Sequence, residues 1–198
     1  MASTGNIHSI DILIGRTILS RSTANKLGQV YDLIIDPARG ELVGLVLQMP
    51  DASFRCVDYQ EVYSFGPDAV MINSDESATP AQESPLKSLP LAKHNLIGVN
   101  VVTESGKLLG QIASINIYLA ETVLLIYEAR SSLLDKLMGH ALYFPATHGR
   151  ALSSDFTRLV VVDDTAEKAA HSLPDLAASL FGPPKEADPI VVVRSRGH

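Results

Sequence analysis

Cysteine is almost absent. Cys56 stands alone in 198 residues, which excludes an intramolecular disulfide framework or a cysteine-rich zinc site and fits a reducing compartment. Basic residues are also few: 16 Lys and Arg face 22 Asp and Glu, for a formal charge of −6. Residues 1–75 carry 5 basic and 9 acidic side chains and residues 94–164 carry 5 and 7, so no basic domain hides beside an acidic one. This argues against DNA or RNA as a partner, because phosphate backbones are bound by clustered Lys and Arg. No apolar run approaches the ~20 residues of a membrane span, and the opening MASTGNIHSIDILIG lacks a basic segment leading into an apolar one. The expectation is a soluble protein of the cytoplasm or stroma, with peripheral contact to a membrane left open.

Signatures of catalysis are missing too. Gly28 sits in LGQV without the further glycines of a dinucleotide fingerprint, and neither a Walker A loop nor a GxSxG elbow is present. The six histidines include no pair at i, i+4, so only His140 and His148, meeting across a loop, would suggest a metal. Cys56 has no neighbouring His or Lys to activate it and reads as a small buried hydrophobe. Asp32 and Asp36 invite an acid–base reading. Asp36, however, precedes Pro37 in a turn, where Asp is favoured for its bonds to nearby backbone, and Asp32 reads as a solvent-facing strand residue. The expectation is a protein that is not an enzyme and holds no catalytic residue, metal or cofactor.

What is present is apolar material for a core, 46% of the chain, in a pattern that occurs twice. KLGQVYDLII in the first half aligns with LLGQIASINI in the second, carrying Gly28 onto Gly110, Gln29 onto Gln111 and Val30 onto Ile112. A β-branched, Leu-rich run follows each copy, ELVGLVLQM and ETVLLIYEA, and then a second apolar segment, DAVMINSD and TRLVVVDD. These runs are short and bounded by Gly, Pro and Asp, which marks strands. Pro37 and Gly40 make a hairpin of Val30–Asp36 and Glu41–Met49, with apolar residues on both strand faces. SDESATPAQESPLKSLPLAK, rich in Ser and Pro, reads as an extended connector. The spacing predicts a short helix in SSLLDKLMGH and another after Asp164, divided or kinked at Pro174 and ended by Gly182. The organisation expected is residues 10–75, a linker over 76–93, residues 94–164, and a terminal region over 165–198.

Two β-rich units opening on LGQVYDLIIDPARGELVGLVL resemble the PRC-barrel family. Its members include the cytoplasmic domain of the photosynthetic reaction-centre H subunit and the C-terminal half of the ribosome maturation factor RimM. The resemblance is carried by Gly28, Val30, Asp32, Ile35, Asp36, Pro37, Gly40, Val43 and Val46, and in the second copy by Gly110, Ile112 and Ile117. It implies a mainly β fold of two small PRC-like antiparallel β-barrels in tandem, to which the residues beyond them add a short C-terminal helix and an extended tail. It further implies a non-enzymatic docking or assembly factor with a protein partner, such as a photosynthetic membrane complex. The alternatives are a RimM-like role in small-subunit maturation, or a small-molecule carrier. The tail lies outside the family pattern and is the expected partner-binding segment. Ile190, Val191, Val192 and Val193 would form an intermolecular strand steered by Arg194 and Arg196, with pairing to the protein's own sheet edge as the equal alternative.

Overall fold

The computed structural model describes residues 6–119, 123–131, 141–182 and 192–193. The first half holds β1 (Asn6–Ser9), β2 (Thr17–Ser20), β3 (Lys26–Asp36), β4 (Glu41–Gln48), β5 (Phe54–Asp58), β6 (Val62–Phe65) and β7 (Ala69–Ile72). After β8 (Ala78–Pro80) come β9 (Asn100–Thr103), β10 (Leu108–Leu119), β11 (Val123–Arg130), β12 (Leu142–Pro145), β13 (Gly149–Leu152) and β14 (Arg158–Val161). The last strand is β15 (Val192–Val193). No helix among the described residues is long and apolar enough to cross a membrane.

The fold is mainly β, and the sequence repeat is a topological one. β2 to β5 pair in order as an antiparallel ladder, and so do β9 to β12. In each half the first strand of the ladder also pairs in parallel with a later strand, β2 with β7 and β9 with β14, and that strand forms a hairpin with the one before it. Gly28 and Gly110 hold equivalent places for the same steric reason. A Cβ on either would meet a carbonyl oxygen, of Gln48 at 2.3 Å or of Arg130 at 2.4 Å, so only glycine allows the neighbouring strand this near.

The two closed antiparallel barrels are not formed. The strands give two open sheets, in the orders β15-β6-β7-β2-β3-β4-β5-β8 and β12-β11-β10-β9-β14-β13, with β1 added to β10. Helical turns at Tyr59–Glu61 and Ala146–His148 stand between β5 and β6 and between β12 and β13. In the first sheet the edges that would have to meet are already paired, β5 with β8 and β6 with β15.

Each half lends a segment to the other. β1 crosses to pair with β10, setting Ser9 opposite Asn116, while Leu91 bridges antiparallel to Ile34 on β3. The offset of 82 that carries Gly28 onto Gly110 also carries Ile34 onto Asn116 and Ser9 onto Leu91, so the two exchanges are one contact made twice. A continuous core then spans both halves, from Leu33, Leu45 and Val57 to Ile115, Tyr127 and Phe144. The β3–β4 turn is keyed into the second half as well. Asp36 accepts from the amides of Ala38 and Arg39 at 3.0 and 3.2 Å, and Gly40 lies at φ 68. A Cβ on Gly40 would stand 2.2 Å from the Ala146 backbone, and one on Gly149 would stand 2.2 Å from the Pro37 oxygen.

The stretch expected as an extended connector packs against the first sheet. Helical turns at Asp75–Ser77 and Pro85–Ser88 flank β8, and Leu86, Leu89 and Leu91 cover Ile34, Val46 and Cys56 on the outer face of the first sheet. These leucines sit among the prolines, and burying them outweighs the extended preference of the local sequence. The region after Asp164 divides into α1 (Thr165–Lys168) and α2 (Leu173–Phe181). Pro174 lies in the first turn of α2, where a missing N–H costs nothing. Gly182 at φ 80 ends that helix. The helix expected in SSLLDKLMGH lies, apart from Ser131, outside the described residues.

A fragment of residues 1–80 loses both the strand that β1 joins and the segment that covers β3, so it should show a collapsed, poorly dispersed NMR spectrum. The full chain should unfold cooperatively in urea. A well-dispersed fragment spectrum would show that the halves fold independently.

Candidate functional site

A buried polar cluster lies where the halves meet, and it begins with a bulge. Val30 pairs with Leu47 and Asp32 with Val46, which leaves Tyr31 as the extra residue of β3. The bulge switches the facing of the strand. Val30 joins Leu33 and Ile35 in the main core, while Asp32 and Ile34 turn to the opposite face. Asp32 is therefore not solvent-facing: it is 0% exposed, beneath the turn Ala92–Leu96.

A carboxylate in that position needs donors. Oδ1 accepts from the Leu33 amide at 2.7 Å and the Lys93 amide at 3.0 Å. Oδ2 accepts from the His94 amide at 3.1 Å and His94 Nδ1 at 2.6 Å. The Lys93 and His94 amides lie in the first turn of a helical segment, where N–H groups have no partner within the turn, so one carboxylate satisfies them both. His94 Nε2 lies 3.0 Å from the Tyr31 hydroxyl, and the imidazole stacks on the Tyr31 ring, which meets Phe54 edge-on.

Beside this cluster the Lys93 ammonium bonds Asp11 at 2.7 Å. That bond holds the Asp11 carboxyl below its ordinary range and raises the Lys93 ammonium above its own. Asp11 and Lys93 are separated by the repeat offset, so this ion pair joins equivalent turns of the two halves. The rest of the cluster has no copy. Ala113, Ser114 and Ile12 stand where the other half has Tyr31, Asp32 and His94, and Ser9 takes over as the acceptor for the Asp11 amide at 3.2 Å.

Ser114 instead belongs to a second feature, a cleft of about 400 Å³ bordered by Ile97, Gly98, Gln111, Glu128 and Arg130. The buried Glu128 accepts from Ser114 at 2.8 Å and from Arg130 at 2.5 Å. Both carboxylate oxygens are engaged, and the half-exposed Arg130 is the charged group nearest solvent.

Of the residues singled out from sequence, Gly28, Gly110, Asp36, Pro37 and Gly40 are framework, as described above. Cys56 is buried, which pushes its thiol upward. Val192 and Val193 pair antiparallel with Phe65 and Ser64 of the same chain, while Ile190, Val191, Arg194 and Arg196 lie outside the described residues, as does His140. His94 was missed because nothing local marks it; the available signal was an aspartate within a strand apolar on both faces. His148 stacks on Phe144, and its Nδ1 is buried without a partner among the described residues. Burial lowers its pKa from the ordinary 6.5, Asp164 pulls it back, and Lys168 and Arg150 add to the lowering.

Asp32→Ala removes the acceptor for four donors and should destabilise by roughly 3 kcal/mol in urea unfolding. His94→Ala should cost about 1 kcal/mol and little more in the Asp32→Ala background. Additive losses would show that the two residues are not coupled. For His148, a depressed folded-state pKa means that the unfolded chain takes up the proton first, so stability is full above about 6.5 and falls as pH drops through that value. His148→Phe should keep the ring stack and flatten the decline of melting temperature between pH 7.5 and 5.5; an unchanged decline would place its origin elsewhere.

None of the curated proteins matches the chain. The PRC-barrel domain model matches residues 6–78, the stretch that contains the β3–β4 hairpin, its Asp36–Gly40 turn and the parallel β2–β7 pair.

Proposed function

We propose that the protein is a docking or assembly factor without chemistry of its own, built from a PRC-barrel domain and a second unit of the same type. The observation that carries this reading is the Asp32 carboxylate. Its four donors come from its own strand and from the turn before the second unit, so the best-formed polar constellation joins two halves instead of facing a substrate. The repeated topology favours a tandem of related domains, as do the equivalent exchanges of Ser9 and Leu91. The resemblance to the reaction-centre H subunit suggests a photosynthetic membrane complex as partner, and the resemblance to RimM suggests the maturing small ribosomal subunit. The cleft beside Arg130 favours a second reading, a carrier of a small polar molecule.

Affinity purification of the full chain from its native cells separates these. Photosystem or ribosomal proteins should co-purify; a bound small molecule in native mass spectrometry with no protein partner would favour the carrier. Because Val192 and Val193 pair within the chain, removal of residues 183–198 should leave co-purification intact, and its loss would move the interface to the tail.

A further inference from the structure

The first sheet ends in β15, laid on β6, and in β8, three residues closing on Pro80, which has no N–H to offer. The second sheet ends in β12 and β13. On β12, Tyr143 exchanges two backbone hydrogen bonds with Ala170, at 2.8 and 3.0 Å. β13 has no partner along its outer edge among the described residues.

The repeat shows what such an edge accepts, because β13 is the counterpart of β6. Phe65 pairs with Val70, the parallel neighbour of Ile18; Leu152 pairs with Leu159, the parallel neighbour of Val101. The Gly66 amide donates to Ala69 and the Ser153 amide to Arg158, each at 2.9 Å. Backbone groups alternate in direction along an antiparallel strand, so Phe65 and Leu152 each turn their N–H and C=O outward. On Phe65 those groups face Val192 of β15.

We propose that the outer edge of β13 docks an extended segment of a partner protein, which adds as an antiparallel strand opposite Leu152 and Ala151. This rests on the docking reading and names its surface. Directly opposed residues share a face of the sheet, and Leu152 packs against the core, so the partner residue opposite it is apolar and suited to a strand, as Val192 is opposite Phe65. Ala151 is exposed, and its opposite number tolerates polarity. A second copy is the weaker occupant, since its Val192–Val193 pair is already engaged on its own β6.

The test uses the full chain and a synthetic peptide of the sequence DPIVVVRS, residues 188–195, as a generic β-branched strand. Hydrogen exchange should slow at Leu152 on peptide addition and stay unchanged at Ser64 and Phe65. N-methylation at the second valine, or its replacement by Asp, should weaken binding at least about tenfold. Leu152→Pro in the protein should do the same, and because that variant can also fold poorly, the modified peptides decide the matter. No protection at about 1 mM peptide, protection at β6, or equal binding of the N-methylated peptide would overturn the proposal. Protection of Leu152 by self-association of the peptide-free chain in light scattering would overturn its choice of occupant. A folded Leu152→Pro chain that still co-purifies its partner would sink this surface while leaving the docking reading standing, whereas a wild-type chain that captures no partner would sink the docking reading itself.

Discussion

A buried carboxylate without donors would cost more than most single contacts in a protein return, and Asp32 places one in the middle of a β-strand. The turn before the second half answers that demand with two amides and an imidazole. Because the donors sit 61 and 62 residues further along the chain, satisfying Asp32 fixes where the second half begins relative to the first. Burial of Leu86, Leu89 and Leu91 on the same face then turns a proline-rich segment into a cover for that face.

A repeated strand topology supplies the framework, and departures from it supply the individuality. The halves share the ladder, the parallel pair, the exchanged segments and a bulge at Tyr31 or Ala113. Where the first half has Tyr31 and Asp32, the second has Ala113 and Ser114, and the stacked Tyr31–His94 arrangement gives way to a cleft with an engaged Glu128–Arg130 pair. The same asymmetry reaches the sheet edges, where β6 carries a strand from the tail and β13 carries none among the described residues. Open edges invite pairing, and β13 offers one in the second half.

Much of the fold was legible in the sequence because its signals are local. Pro37 and Gly40 marked the hairpin, the LGQV and LGQI segments marked the repeated topology, and Pro174 marked the division of the terminal helical region. Gly28 and Gly110 stood at the starts of strands where close approach excludes a side chain. Each of these depends on residues a few positions apart, whose steric limits hold in any surroundings.

Closure, exchange and the polar cluster were not legible, since each depends on which distant segment arrives. A bulge at Tyr31 moves Asp32 from the expected solvent face to one that is fully covered, and period-2 reasoning has no means of placing a bulge. His94 gained its role from a contact 62 residues away. The sequence by itself determined strands, turns and their repetition, because those follow from local sterics and apolar spacing. Only the tertiary structure decided that the halves share one core, that the sheets stay open, and that a buried aspartate ties them together, because burial and hydrogen-bond satisfaction belong to the packed chain as a whole.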